Sequence, residues 1–204
     1  MLRTLRRATD RRRHAGGHYA HLFLPHDGGD VIALDCETTS PDARQAELVS
    51  IAAVPVRNGR VETSQALHVH LRRPHGLQRD SIRIHGMRPD DLADGATVDD
   101  ALERLLDFIG NRPLVGWCID FDVAVINRHL RPRTGFELPN RSIELIQQYK
   151  RRLRRSHPDV APHVGFEAMA EALDVPIIGR HTALGDATTS ALMYLRMQAA
   201  LAVA

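Results

Sequence analysis

Lysine and cysteine are nearly absent from this 204-residue chain. Lys150 is the sole lysine, so arginine carries almost all of the positive charge, and the formal net charge is only +2. The planar guanidinium of arginine can donate two hydrogen bonds to one phosphate, but a preference for arginine over lysine is also a compositional bias of entire genomes. The two cysteines, Cys36 and Cys118, are too few for a disulfide framework, and their apolar surroundings predict small buried side chains.

Long apolar runs are missing as well. No run reaches the roughly 20 residues that cross a bilayer, and the basic N-terminus lacks the apolar region of a signal peptide. We therefore expect a cytoplasmic protein. No internal repeat or low-complexity tract interrupts the chain, and its 43% of hydrophobic residues is enough to bury a core as one domain.

The first 27 residues differ from the rest in composition. We predict a basic leader over residues 1–27 and the functional domain over residues 28–204. The leader contains the run Arg11-Arg12-Arg13 and ends in apolar residues that include Leu22 and Phe23. It suits a phosphate-binding arm, a membrane-surface segment, or a partly helical leader whose apolar end docks on the domain. We favour the docked leader, because basic leaders are common.

Three apolar runs predict consecutive strands. The first begins at Val31, the second covers residues 48–56, and the third covers 61–71 after the hairpin signal Asn58-Gly59. These strands form an antiparallel meander at one edge of a sheet. Residues 72–95, where proline and glycine recur, are predicted to be a loop, and a loop of this length is often functional.

A further strand and several helices follow. Thr97 begins a helix whose apolar residues share one face, and residues 114–117 form a short strand. Further helices are predicted over residues 120–130, 142–155, 165–173 and 182–199. This order indicates a mixed α/β sheet flanked by helices, in which ligands gather at the carboxyl ends of strands.

Two acids stand at the end of the first strand. Asp35 and Glu37 are two residues apart, so their side chains project from the same face of the strand. Two carboxylates packed side by side repel each other, and burying them is costly. A hard divalent cation such as Mg²⁺ removes this repulsion, because it prefers carboxylate oxygens.

Further acids and a histidine follow later strands and loops. Asp122 and Asp120 both begin the helix after the short strand; Asp120 is the expected N-cap, which leaves Asp122 for a metal. Asp186 begins the last helix, and His181 converges on it only if His181 lies in the preceding loop. A histidine there is able to accept a proton from water. Four carboxylates holding two metal ions suit phosphodiester hydrolysis.

Three short segments resemble the exonuclease motifs of the DEDDh (DnaQ-like) family, in the same order and spacing: Asp35-Cys36-Glu37-Thr38-Thr39, Phe121-Asp122 and His181-Thr182-Ala183-Leu184-Gly185-Asp186-Ala187. The resemblance covers about residues 30–200. It implies a ribonuclease H-like fold, with a five-stranded mixed sheet flanked by helices. Residues 28–204 would then be an exonuclease domain.

The resemblance also implies an activity and the roles of single residues. The family removes nucleotides in the 3′→5′ direction with two Mg²⁺ or Mn²⁺ ions. Asp35, Glu37, Asp122 and Asp186 would hold the metals, and His181 would be the general base. The terminal nucleotide would contact Thr38 and the segment His85-Gly86-Met87, where Gly86 would let the backbone come close. A single-stranded 3′ end, bound without regard to sequence, is the expected partner.

One departure from the family bears on the substrate. Trp117-Cys118 stands where many relatives have His-Asn, which removes a possible hydrogen bond to substrate, and Trp117 suits either the core or stacking on a base. Single-stranded DNA is the expected substrate. An RNA-directed exonuclease or oligoribonuclease is the alternative within the same enzyme class, and an inactive nucleic-acid-binding module is the alternative outside it. A polymerase or repair partner and the oligomeric state remain open from sequence.

Overall fold

A mixed six-stranded sheet forms the centre of the computed structural model, which describes residues 2–156 and 164–202. Residue 1, residues 157–163 and residues 203–204, which belong to the predicted leader and domain, lie outside the described part. The strands are β1 Val31–Thr38, β2 Leu48–Arg57, β3 Arg60–Val61, β4 Leu67–His70, β5 Leu114–Gly116 and β6 Ser142–Glu144. The described helices are α1 Leu2–His14, α2 Arg79–His85, α3 Val98–Ile109, α4 Ile119–Thr134, α5 Leu145–Ser156, α6 Phe166–Ala172 and α7 Ala183–Ala202.

Strand β1 lies in the middle of the sheet. It pairs antiparallel with β2, from Val31 opposite Val56 onwards, and parallel with β5 on its other side. The sheet order is β3-β2-β1-β5-β6, and β4 also pairs with β2. Strand β5 therefore borders the first half of β1, whereas β2 pairs with β1 as far as Thr38.

The two faces of β1 belong to two separate cores. Ile32 and Leu34 pack in one core together with residues of α3 and α4, whereas Val31 and Ala33 pack in the other together with residues of α6 and α7. Side chains alternate between faces along a strand. The row that begins with Val31 and Ala33 therefore continues into Asp35 and Glu37 on the α7 face.

The expected fold class is confirmed, but the sheet has six strands where five were expected. The predicted strand over residues 61–71 is interrupted by a 3₁₀ turn at Thr63–Gln65, which separates β3 from β4. Residues 142–144 form β6 and not the first turn of a helix, because they pair in parallel with residues 114–116 of β5. Three residues are too few to show strand periodicity.

Two further expectations need correction. The predicted loop over residues 72–95 contains α2 and a 3₁₀ turn at Asp90–Leu92. Helix α4 continues past Leu130, where the predicted helix ends, through Pro132 to Thr134; Thr134 Oγ1 donates to the Leu130 carbonyl at 3.0 Å and Gly135 N–H donates to the Arg131 carbonyl at 2.9 Å. Gly135, with φ +79°, then ends the helix in the left-handed conformation.

The apolar end of the leader docks on the domain, as expected. Leu22 and Phe23 are buried, and the rings of Tyr19 and Phe23 lie 5.1 and 5.3 Å from that of Phe136. The arginine run precedes this contact on α1. The division between residues 27 and 28 stays a prediction. Within the described ranges, no helix is both long and apolar enough to span a membrane.

Candidate active site

Three carboxylates meet at the carboxyl end of β1. One oxygen atom from each of Asp35, Glu37 and Asp186 lies within 4.8 Å of the others. Asp35 and Glu37 come from β1, and Asp186 comes from the first turn of α7, which packs on the same face of the sheet. We call these three residues together with Asp122 the acidic cluster. Parallel-strand geometry places this cluster where ligands of α/β sheets bind.

Asp122 reaches the cluster from α4. The residue is 3% exposed, and its Oδ1 accepts a hydrogen bond of 3.2 Å from the backbone N–H of Cys36, which lies between the two acids of β1. Asp120, two residues earlier, is exposed. The preference for Asp122 over Asp120 as the inward-facing acid therefore agrees with the structure.

The expected capping role of Asp120 is wrong. Helix α4 begins at Ile119 and its N-cap is Cys118, which has φ +55° and makes no side-chain cap bond. The carboxylate of Glu144, at the end of β6, instead accepts a 2.8 Å hydrogen bond from the Cys118 N–H. Sequence reasoning missed Glu144 because residues 142–155 are predicted to form one helix, and a strand of only three residues gives no signal of its own. Cys118 itself is exposed and not buried as expected.

Burial and mutual repulsion keep the cluster electrostatically strained. Burial raises the pKa of Asp35 well above its usual value, and the charges of Asp122, Glu37 and Asp186 raise it further. Burial likewise raises the pKa of Asp122, and it raises that of Glu37 to about 7, with Asp186 adding to the effect on Glu37. The pKa of Asp186 is also raised, again mainly by burial. The positive charge of the neighbouring side chains therefore does not fully offset the negative charges of these acids.

The donor set fits a hard divalent cation. All the inward-facing groups of the cluster are carboxylates, which magnesium and manganese prefer to nitrogen or sulfur ligands. Asp186 Oδ1 is buried, and no hydrogen-bond partner reaches it within residues 2–156 and 164–202. A buried carboxylate oxygen without a partner is costly, so this atom is a natural ligand.

His181 lies in the loop before α7, which is the position that the sequence requires if His181 and Asp186 are to lie close together. Its backbone is left-handed, with φ +62°, and its N–H donates to Asp186 Oδ2 at 3.2 Å. Gly179, with φ +53°, turns the chain ahead of it, and the Gly179 carbonyl accepts from the Thr182 N–H at 3.1 Å. The His181 side chain is exposed, so its ring is open to water and substrate.

Arg180 is a charged neighbour that sequence reasoning did not identify. Its Nη1 is 2.5 Å from Asp186 Oδ2, and its Nε is 2.7 Å from Glu167 Oε1. Its guanidinium lies 4.3 Å from the centre of the Phe166 ring. No pattern in the sequence distinguishes this arginine from the many others in the chain.

The expected nucleotide contacts lie in two places. Thr38 ends β1, and its hydroxyl donates to the Ser40 carbonyl at 3.0 Å. His85, which is buried, ends α2, and its Nδ1 accepts from the Met87 N–H at 3.1 Å. Gly86 caps the helix with φ +74°. These contacts give the segment a fixed shape, and their role toward a nucleotide stays a prediction.

Trp117, which directly follows β5, packs against the hydrophobic core. The residue is half-buried, and its ring meets that of Phe166 edge-on at 5.6 Å. It thereby packs against the same aromatic ring that Arg180 covers. The core interpretation of Trp117 agrees with this contact.

Comparison with known proteins places these features in a family. A family profile described as "Exonuclease" (RNase_T) matches residues 32–194. DNA polymerase III subunit epsilon from Aquifex aeolicus is 25% identical over 83% of this chain and 80% of its own length. A PolC-type DNA polymerase III from Thermotoga petrophila is 24% identical over 83% of this chain, but only 12% of its own length is matched.

Solved structures show the same fold. Cell-death related nuclease 4 has a TM-score of 0.70 and 19% identity, over 84% of this chain and 64% of that one. E. coli exonuclease I in complex with a dT13 oligonucleotide has a TM-score of 0.67 and 14% identity, over 85% and 43%. The family match covers most of the chain and confirms the expected enzyme class. The chain belongs to the DEDDh (DnaQ-like) exonuclease family, whose members are metal-dependent, hydrolytic 3′→5′ exonucleases.

Proposed function

We propose that the protein removes nucleotides one at a time from the 3′ end of single-stranded DNA. The observation that carries this proposal is the acidic cluster: three carboxylates within 4.8 Å of one another and a fourth, Asp122, bound to the Cys36 amide between two of them. Such a cluster suits the hydrolysis of a phosphodiester, where negative charge develops on the attacking and leaving oxygens.

Two Mg²⁺ or Mn²⁺ ions, held by Asp35, Glu37, Asp122 and Asp186, would supply Lewis-acid stabilisation of these oxygens. The exposed ring of His181 would accept the proton of the attacking water. The Asp186 carboxylate, which binds the His181 N–H, fixes the loop that carries this ring. The protein therefore supplies both a hard-ion site and a base beside it.

The terminal nucleotide would lie between the end of β1 and the segment after α2. Thr38 would contact it from β1, and His85, Gly86 and Met87 from the other side. The loop before α2 is anchored near β1, because the Gly76 N–H donates to Glu47 Oε2 at 2.5 Å and the Glu47 N–H donates to Thr39 Oγ1 at 3.0 Å. This anchoring supports a cleft formed by both segments.

The preference for DNA rests on relatives. The similar polypeptides are epsilon subunits of DNA polymerase III and a PolC-type DNA polymerase III, and the similar exonuclease I was solved with a DNA oligonucleotide. A DNA polymerase is by the same likeness the partner that we propose to test first. A cytoplasmic location completes the proposal. An RNA substrate and a binding-only module are the outcomes that would replace it.

Matched substitutions of two neighbouring acids test the function. We expect purified protein to shorten 5′-labelled single-stranded DNA from its 3′ end with Mg²⁺ or Mn²⁺, and to stop in EDTA. Asp122→Asn should lower the rate at least about 100-fold, because even residues that only support metal ligands change activity roughly 10- to 100-fold. Asp120→Asn, which alters an exposed acid on the same helical turn, should stay within about twofold.

Labelled RNA of the same sequence runs beside the DNA. Faster shortening of RNA would replace the DNA proposal with an exoribonuclease. Binding of both strands without any shortening would leave a nucleic-acid-binding module. Equal loss in Asp120→Asn and Asp122→Asn would contradict the assignment of Asp122 to the reaction.

A further inference from the structure

Arg180 is bound at three points beside the acidic cluster. Its Nη1 contacts Asp186 Oδ2 at 2.5 Å, its Nε contacts Glu167 Oε1 at 2.7 Å, and its guanidinium covers the Phe166 ring at 4.3 Å. Arginine has a planar fork that suits two acids and an aromatic face at once, which a lysine ammonium cannot match. The side chain is therefore fixed at the edge of the cluster.

The charge of Arg180 acts on most of the cluster. It counteracts the burial that raises the pKa values of Asp35 and Glu37, and it does the same for Asp186. Arg180 and the His181 N–H both approach Asp186 Oδ2, whereas Asp186 Oδ1 has no partner among the described residues. Arg180 thus occupies one side of the carboxylate that would also bind a metal.

A divalent ion and a guanidinium repel each other when they share one carboxylate. An ion that binds Asp186 through Oδ1 is repelled by the guanidinium on Oδ2, and an ion that binds both oxygens must displace Arg180. Glu167 and Phe166 lie outside the cluster on α6, and they would retain the arginine after it leaves Asp186. Release of Asp186 would therefore leave Arg180 with two of its three contacts.

We propose that Arg180 is a resident counter-ion that competes with divalent cations for Asp186. In the metal-free protein it neutralises part of the cluster, and it sets the metal affinity below the value that the carboxylates alone would give. This inference rests on the proposed metal-dependent function. It assigns Arg180 a role in tuning the metal site and not in the chemical step.

Calorimetric titration with Mn²⁺ and Mg²⁺ tests the inference directly. Arg180→Gln removes the charge and should tighten metal binding at least about fivefold, because an opposing charge at the ligand is lost. The same variant should melt at a lower temperature than wild type in EDTA, where the cluster has lost its counter-ion, and this difference should shrink with saturating metal. Arg196→Gln is the matched control, since Arg196 pairs with Asp174 at 2.9 Å on an exposed surface.

The outcomes separate this inference from the proposed function. Weaker or unchanged metal binding by Arg180→Gln, while wild type binds metal, would overturn the role of Arg180 alone. Absence of metal binding by wild type would overturn both proposals. If Arg180→Gln fails to fold, Arg180→Met supplies the test: methionine removes the charge but keeps an apolar contact with the Phe166 ring, so a gain in affinity supports the inference and no gain contradicts it.

Discussion

At the scale of single residues, His181 is the group whose role depends most on its position. Its backbone is left-handed, with φ +62°, its N–H contacts Asp186, and its side chain is exposed. We expect His181→Asn to lower the turnover number roughly 100- to 10,000-fold, the usual contribution of a general base. Asparagine is chosen because it tolerates left-handed φ better than most residues, so the loop keeps its shape.

Two controls accompany this substitution. Metal affinity measured by calorimetry should stay within about twofold of wild type, because His181 contacts Asp186 through its backbone N–H, which asparagine retains. His21→Asn alters another exposed histidine, which lies in the leader and outside all three motifs, and should leave turnover unchanged. Turnover by His181→Asn within about threefold of wild type would exclude the general-base role.

Individual residues also show what a sequence reveals and what it hides. Asp35 and Glu37 follow from strand periodicity, because two residues on one face of a strand must project together. The choice of Asp122 rested on a capping role for Asp120 that is wrong, and the bond of Asp122 to the Cys36 amide gives the physical reason instead. Arg180 could not be found in this way, because its contacts with Asp186 and Glu167 depend on how α6 and α7 pack.

At the scale of elements, the start of α4 depends on β6. Helix α4 lacks a side-chain cap of its own, and Glu144 at the end of β6 accepts the Cys118 N–H at 2.8 Å. We expect Glu144→Ala to reduce the free energy of unfolding by about 1–2 kcal/mol, since it leaves backbone donors at a helix start unsatisfied. Urea unfolding followed by circular dichroism measures this change.

Glu144→Gln separates the effect of the hydrogen-bond acceptor from that of the negative charge. Glutamine keeps a carbonyl oxygen within reach of Cys118 N–H, so most of the stability should return. The exonuclease rate should follow the same order, because Asp122 stands in the first turn of the helix that Glu144 fixes. Equal stability of Glu144→Ala and wild type would show that water satisfies the start of α4 instead.

The same element marks the limit of prediction from sequence. Long periodic segments such as α3 are visible, and Thr97 caps that helix as expected, accepting from the Asp100 N–H at 3.1 Å. Strand β6 has only three residues and exists because it pairs with β5, a contact between positions far apart in the chain. Because residues 142–144 are predicted to be helical, the sequence does not reveal that Glu144 stands at the end of a strand.

At the scale of the whole molecule, the buried acids link folding stability to pH. Burial raises the pKa of Glu37 to about 7 in the folded protein, above its ordinary value of 4.5. Between these values the folded chain binds more protons than the unfolded chain, so the free energy of unfolding falls as pH rises. We expect metal-free protein to be roughly 1–3 kcal/mol more stable at pH 5 than at pH 7.5 through this group.

Comparison with Glu37→Gln isolates the contribution of the cluster. Glutamine cannot ionise, and the loss of the Glu37 charge also reduces the repulsion on Asp35. Urea unfolding of this variant in EDTA should therefore depend less on pH than that of wild type.

Bound metal should reverse the fall of stability with rising pH, because ion binding requires the deprotonated carboxylates and stabilises only the folded chain. Saturating Mn²⁺ should therefore raise the melting temperature more at pH 7.5 than at pH 5. Burying these acids would then destabilise the folded protein, and a bound metal ion would remove that destabilisation. A larger shift in melting temperature with Mn²⁺ at pH 5, or the same pH dependence of unfolding in wild type and Glu37→Gln, would contradict this conclusion.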